Sequence, residues 1–346
     1  MLFIDDQIPH LAEILSLTDG VSRFDGRALT REQLRRSRTT AIFVRSVTSV
    51  DAKLLAGTDV AFVGSATAGI DHIDTEYLDS RNIRFAFAPG CNANAVAEYV
   101  LDAFEEHKIP RGATVGIVGF GHVGSLLARY VRSLGYNVLV NDPPLQSAGT
   151  TFPKWATVVS LEELAARADA ISFHVPLTDD GAFPTRDLIT AGILKTCKPG
   201  TLVVNTSRGG ILDEHALADL VAAGTLQAVL DVFANEPNVD PYVTERITHC
   251  TPHVAGYTVQ AKENGALMIY EAFVGHPVRI RDEVELTEEQ AADQKPLVTI
   301  EPVVVAPYDH HARITPATFD ELRRTYPLRN ERRTPPTWDE LDALDA

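Results

Sequence analysis

A chain of 346 residues, 45% hydrophobic and 7% aromatic, has apolar material for more than one core, so two or three domains are expected. Its 47 acidic residues against 31 lysines and arginines give a formal charge of −16, which repels phosphate backbones and anionic bilayers and argues against nucleic acid or a membrane as partner. Small anions are repelled too, so an anion site has to be a local cluster of arginines.

In chain order, residues 1–4, 41–44, 60–63 and 83–86 read as short apolar strands separated by polar helical stretches, the alternation of a parallel α/β sheet. Residues 94–104 read as a helix. A second α/β run begins at Ala113. Its strands are expected at 113–118, 136–141, 170–174, 201–205 and 228–231, and its helices at 124–134, 161–167 and 214–223. Residues 258–274 have helical periodicity. Beyond about Asp282 the composition changes: 287–294 is acidic, 298–305 is β-rich and 319–326 is a charged helix. The tail from Thr334, with two prolines and many acids, is expected to be mobile or peripheral. Cys91, Cys197 and Cys250 match no disulfide framework and no metal spacing, which points to a reduced, cytoplasmic protein without a bound metal. The first residues lack the pattern of a signal peptide, and no run of about 18 apolar residues exists.

Residues 113–124 read ATVGIVGFGHVG. Gly119-x-Gly121-x-x-Gly124 thus sits between an apolar strand and an amphipathic helix, the setting in which this motif binds a dinucleotide. Gly119 permits the tight turn, Gly121 lets the backbone approach the pyrophosphate, and Gly124 lets helix and strand pack closely. The helix N-terminus adds free N–H groups and partial positive charge. Asp142 follows the next strand, where a carboxylate accepts from ribose hydroxyls and repels a 2′-phosphate, so NAD is expected over NADP.

Three features further on carry chemistry. Arg208, in NTSRGGILDEHAL, directly follows a strand, where a guanidinium can grip a carboxylate with two parallel hydrogen bonds. Glu236 lies in the loop after the strand that ends at Asp231. His253 lies in a loop after a short apolar segment. Oxidation of a 2-hydroxy acid needs a base for the hydroxyl proton, which His253 supplies, and a carboxylate to hold the imidazole, which Glu236 supplies. Arg208 orients the substrate and polarises the C2 oxygen.

The order Gly119-x-Gly121-x-x-Gly124, Asp142, Arg208-Gly209, Asp231, Glu236-Pro237 and His253 resembles the D-isomer-specific 2-hydroxy-acid dehydrogenase family over residues 1 to about 280. The resemblance implies a doubly wound Rossmann NAD-binding domain (94–254) inserted into a flavodoxin-like substrate domain (1–93 and 255–282). A small C-terminal α+β dimerisation domain (283–346) would follow. VRSVT at 44–48, FVGSATAGIDHID at 62–74 and APGCNANAVAEYV at 88–100 narrow the match to a branch that acts on a phosphorylated sugar acid for pyridoxal phosphate synthesis. That implies Ser46, Thr67 and Tyr257 as substrate contacts, and Asp142, Thr206, Ser207, Asp231 and Gly256 as NAD contacts. Arg45 is expected to serve the phosphate. The pattern from Phe319 to Glu331 resembles a dimerisation segment, and a homodimer would carry Arg329 of one chain over the cleft of the other. The stretch LDAFEEHKIPRG before the glycine motif is shorter and more polar than the resemblance suggests, and Val175 stands where it suggests a threonine. The competing readings are a 3-phosphoglycerate or glyoxylate type of dehydrogenase, and a non-catalytic NAD-sensing protein.

Overall fold

A computed structural model describes residues 1–9, 11, 20–247, 249–277 and 314–345. The chain divides into two compact units, Met1–Asn92 with Thr258–Val303, and Ala93–Tyr257 with Val304–Ala346.

The first unit is built on five parallel strands: β1 (Leu2–Asp5), β2 (Val21–Phe24), β3 (Ala41–Val44), β4 (Phe62–Ser65) and β5 (Arg84–Phe87). Their order is β2-β1-β3-β4-β5, the flavodoxin-like order. β3 and β4 are buried throughout, as befits central parallel strands covered on both faces. Helix Val259–Val274 returns to this unit and seats Phe273 against Phe43 and Phe62, with ring centroids 5.3 and 5.1 Å apart. Thr258 caps its start, and Gly275, at φ 81°, ends it.

The second unit carries seven parallel strands: β6 (Thr114–Val118), β7 (Asn137–Asn141), β8 (Ala156–Val158), β9 (Ala170–Phe173), β10 (Leu202–Asn205), β11 (Gln227–Leu230) and β12 (His249–Cys250). The order β12-β11-β10-β9-β6-β7-β8 is the doubly wound dinucleotide-binding order with one strand added at an edge. Winding reverses between β6 and β9, and ligands of such sheets bind outside the carboxyl ends of the strands at that point. β2, β8 and β12 are strands that the sequence does not announce.

The polar helix before the glycine motif, Ala93–Glu106, is buried along most of its length, Glu98 and Asp102 included. Its acids are answered by the C-terminal segment. Glu98 accepts from the backbone N–H groups of Arg332 and Arg333, while Asp102 pairs with both guanidinium groups at 2.6 and 3.1 Å. The tail is not peripheral. Thr337 and Glu340 form a reciprocal capping box that starts helix Trp338–Asp342, and Trp338 stacks on Trp155 at 6.0 Å with Arg129 over its ring. The charged helix is Phe319–Thr325, anchored by Phe319 against Phe233. The acidic and β-rich stretches at 287–294 and 298–305, and the expected boundary at 283, lie outside the described residues.

Candidate active site

Each loop that the sequence singles out in the second unit leaves the carboxyl edge of its sheet. Gly119–Gly124 follows β6, Asp142 follows β7, His174 follows β9, Thr206–Arg208 follows β10, Asp231–Glu236 follows β11 and Thr251–His253 follows β12. Parallel strands therefore deliver residues scattered over 135 positions to one rim.

The glycine loop has the geometry its motif requires. Gly119 turns at φ 91°, and a Cβ there would stand 2.7 Å from the His174 carbonyl oxygen. A Cβ on Gly124 would overlap the Gly119 carbonyl, whereas Gly121 faces open space at the N-terminus of helix His122–Ser133. Val175 packs against the loop at Gly119. The Asp142 carboxylate accepts from Phe120 N at 2.7 Å and from Leu145 N at 2.9 Å, which ties β7 to the glycine loop. Asn205 braces the loop after β10: its oxygen takes Ser207 N and Oγ, and its amide donates to the Arg208 carbonyl at 2.8 Å. Thr206 Oγ1 is buried without a hydrogen-bond partner. A buried hydroxyl with no partner is uncommon and needs an explanation. Together with the open Gly121 cradle it fits a polar ligand such as NAD.

His253 and Glu236 are in contact, Nδ1 to Oε2 at 2.8 Å. Glu236 uses its other oxygen on Phe233 N at 3.0 Å, so the carboxylate is fixed by its own loop. Burial pushes the Glu236 carboxyl up, but the His253 charge and hydrogen bond, the Phe233 N–H and the Arg323 charge outweigh it and hold the group below its ordinary range. His253 adopts φ 58°, a conformation that costs a non-glycine residue about 1–3 kcal/mol. Asp231 stabilises it. Its backbone carbonyl takes His253 N at 2.7 Å, and its buried carboxylate takes Val254 N, Ala255 N and the Thr251 hydroxyl at 2.7, 2.9 and 2.6 Å. Burial raises the Asp231 carboxyl, against the pull of His253 and these donors. Gly256 lies in the tight turn that Tyr257 N closes onto the Val254 carbonyl at 2.8 Å.

Gly209 brings the arginine loop to the acidic one. A Cβ there would fall inside the peptide group joining Phe233 and Ala234. Arg208 is therefore adjacent in sequence to a residue in close contact with the Glu236 loop, while its Nη1 donates to the Ser207 carbonyl at 2.7 Å.

In the first unit, Ser46 follows β3 and Thr67 follows β4, neighbouring strands of that sheet. Thr67 donates to the Gly69 carbonyl and shares a hydrogen bond with Ser65. Arg45 is held at Nε by the fully buried Asp5 at 2.9 Å. Cys91 is a small buried residue.

The C-terminal segment adds two arginines whose placement the sequence did not give. Arg323 donates to the Tyr257 hydroxyl at 3.1 Å, and its charge bears on Glu236. Arg329 does not extend toward a second chain. It is 5% exposed and donates to backbone carbonyls of its own unit, because a buried guanidinium has to spend its donors where it lies.

Glu214, at the start of helix Glu214–Ala222, accepts from Ala234 N at 2.7 Å. Burial, aided by the charge of Glu236, raises its carboxyl from 4.5 to about 7. Below pH 4.5 the group is neutral folded or unfolded, while above 7 the folded chain bears a buried charge. Stability is thus lost as pH rises through that window, by about 3 kcal/mol at about 1.36 kcal/mol per unit. Urea unfolding of Glu214→Gln should therefore gain on the unsubstituted chain between pH 5 and pH 8. A difference that is flat with pH would contradict the raised value.

The chain belongs to the D-isomer specific 2-hydroxyacid dehydrogenase family. Residues 96–255 match the family's NAD binding domain, and NAD is the cofactor of this domain. An erythronate-4-phosphate dehydrogenase of Proteus mirabilis is 36% identical over 359 aligned positions, covering 95% of this chain and 92% of the relative. One from Coxiella burnetii is 37% identical over 95% of this chain and 93% of its own. Among solved structures, D-lactate dehydrogenase from Aquifex aeolicus, complexed with NAD and lactic acid, superposes with a TM-score of 0.63 at 22% identity, covering 79% of this chain and 95% of that one. No helix among the described residues is long and apolar enough to cross a membrane.

Proposed function

We propose that this enzyme oxidises 4-phospho-D-erythronate at C2 to (R)-3-hydroxy-2-oxo-4-phosphooxybutanoate, a step in pyridoxal 5′-phosphate biosynthesis. The observation that carries the acid–base reading is the 2.8 Å contact between His253 Nδ1 and Glu236 Oε2. With Nδ1 engaged by a carboxylate, Nε2 is the nitrogen that takes the C2 hydroxyl proton, and Glu236 stabilises the imidazolium that results. Bound NAD supplies the hydride acceptor. Arg208 grips the substrate carboxylate and stabilises the negative charge that develops on the C2 oxygen as its proton passes to His253, and collapse of that charge to a carbonyl releases the C2 hydrogen as hydride. Gly119, Gly121 and Gly124 cradle the pyrophosphate, with Asp142, Thr206, Ser207, Asp231 and Gly256 lining the rest of the cofactor site.

Ser46, Thr67 and Tyr257 are read as substrate contacts, with Arg45 on the phosphate. Because Asp5 already draws on Arg45, the phosphate depends more on hydroxyl donors than on an isolated charge. The resemblance of the segment from Phe319 to Glu331 supports a homodimer, and the three cysteines that match no disulfide framework support a reduced, cytoplasmic setting. Steady-state turnover with NAD decides the reading. The expected order of kcat/KM places 4-phospho-D-erythronate above 3-phospho-D-glycerate and glyoxylate-type substrates by at least tenfold. A higher value for another 2-hydroxy acid overturns the substrate assignment. NAD binding without turnover of any of them favours a sensing protein.

A further inference from the structure

We propose that Arg329 is a positioning residue for His253, acting through the backbone of the turn that follows it. The turn 254–257 is held from two sides. On one, the buried Asp231 carboxylate takes the N–H groups of Val254 and Ala255. On the other, Arg329 Nη1 donates to the carbonyls of Val254 and Tyr257 at 3.2 and 3.4 Å, and Nη2 donates to that of Ala255. A further bond from Nη2, 2.8 Å to the Ala95 carbonyl, anchors the guanidinium to helix Ala93–Glu106. Nε is buried without a partner.

A buried cation and a buried anion thus meet on the peptide group joining Val254 and Ala255, the cation at its carbonyl oxygen and the anion at its N–H, and each holds a neighbouring peptide group besides. Each polarises the peptide units toward the other, so every bond in the chain strengthens its neighbour. The clamp closes through the side chains as well. Arg329 lies 5.9 Å from the Tyr99 ring centroid, the Tyr99 hydroxyl meets Thr251 Oγ1 at 2.5 Å, and Thr251 donates to Asp231. His253 stands at the junction of this network in a backbone conformation that its own side chain does not favour. Without the cation, the Tyr257 N–H on the Val254 carbonyl is the bond left on that side among the described residues, too little to oppose relaxation of φ, and the imidazole leaves Glu236. A lysine keeps the charge but lacks the fork that reaches three carbonyls and Ala95 together.

This inference rests on the proposed role of His253, and the test separates the two. In Arg329→Met, kcat is expected to fall about 100-fold, the size of effect that a shift of about 1 Å produces. KM and NAD affinity should change less than kcat does, since Tyr257 and Gly256 lie in the same turn, Arg329→Lys should recover part of the loss, and added guanidinium should rescue Arg329→Met. In a His253→Ala background Arg329→Met should cost nothing further, because coupled residues are non-additive. An equal fractional loss in both backgrounds, or a loss confined to KM or NAD affinity, overturns the positioning role. Amide exchange of the peptide spanning 251–257, read by mass spectrometry, needs no turnover. It should quicken at least tenfold in Arg329→Met, and in Arg329→Lys to a smaller degree should the methionine variant not fold. An unchanged rate overturns the clamp even if the enzyme proves to use a different substrate, whereas absence of turnover with faster exchange leaves the clamp standing and the catalytic reading refuted.

Discussion

Replacing His253 with alanine is expected to lower kcat by 10²- to 10⁴-fold, the range that a positioned acid–base group contributes. The affinity for NAD should remain within about twofold, because the imidazole is not among the groups assigned to the cofactor: Gly119–Gly124, Asp142, Thr206 and Ser207 follow β6, β7 and β10, while Asp231 and Gly256 are held by backbone bonds that do not involve it. The separation is mechanical as well as topological. The peptide bonds around residue 253 are fixed by Asp231 and not by the imidazole, so the side chain can be removed with its backbone left in place. Glu236 also keeps its bond to Phe233 N in the variant. What disappears is the proton acceptor for the C2 hydroxyl. Steady-state kinetics with calorimetric titration of NAD checks both halves. A kcat within fivefold of the unsubstituted enzyme would show that another group takes the proton, and the role given to Glu236 would go with it.

How much of this is legible in the sequence depends on where each element sits in its sheet. Central parallel strands are buried on both faces, so β3 reads as the unbroken run Ala-Ile-Phe-Val and is found to the residue. The strands that escape notice, β2, β8 and β12, each lie at the edge of a sheet. Val-Ser-Arg-Phe is buried only at its last residue, and His-Cys is two residues long, so neither offers the continuous apolar signal of a central strand. The tail misleads for a different reason: its prolines and acids suggest a free end, yet Thr337 and Glu340 stand at the spacing of a capping box.

The candidate site shows the same division. The glycine motif and the His253–Glu236 pair are recoverable because local chemistry fixes them: a strand, a turn and a helix in one case, two loops on adjoining strands in the other. Arg323 and Arg329 are not recoverable in this way, since they reach residues 257, 254 and 255 across some 70 positions of sequence. The polarity of helix Ala93–Glu106 likewise looks anomalous until Arg332 and Arg333 are found beside Glu98 and Asp102. A buried carboxylate can be seen in a sequence as an oddity, but only the fold supplies its partner.

Gly209→Ala is expected to dismantle catalysis although it alters no group that touches substrate. The added methyl carbon would occupy the peptide between Phe233 and Ala234, and backbone cannot swing aside as a long side chain can. Relief requires the loop after β10 to separate from the loop after β11 by about 1 Å or more. One of these loops carries Arg208, and the other carries Glu236, whose Oε1 is bound to Phe233 N. The movement therefore shifts the guanidinium and the carboxylate relative to one another, and displacements of that size cost about 10²-fold in rate. The loss should fall mainly on kcat, with stability lowered by about 1–3 kcal/mol for the overpacking. NAD affinity should be affected less, since the glycine loop after β6 is untouched. Kinetics and urea unfolding of the variant check this. Near-normal kcat in a folded Gly209→Ala protein would mean that the two loops need not be in contact for the reaction, and that Arg208 works independently of the Glu236–His253 pair.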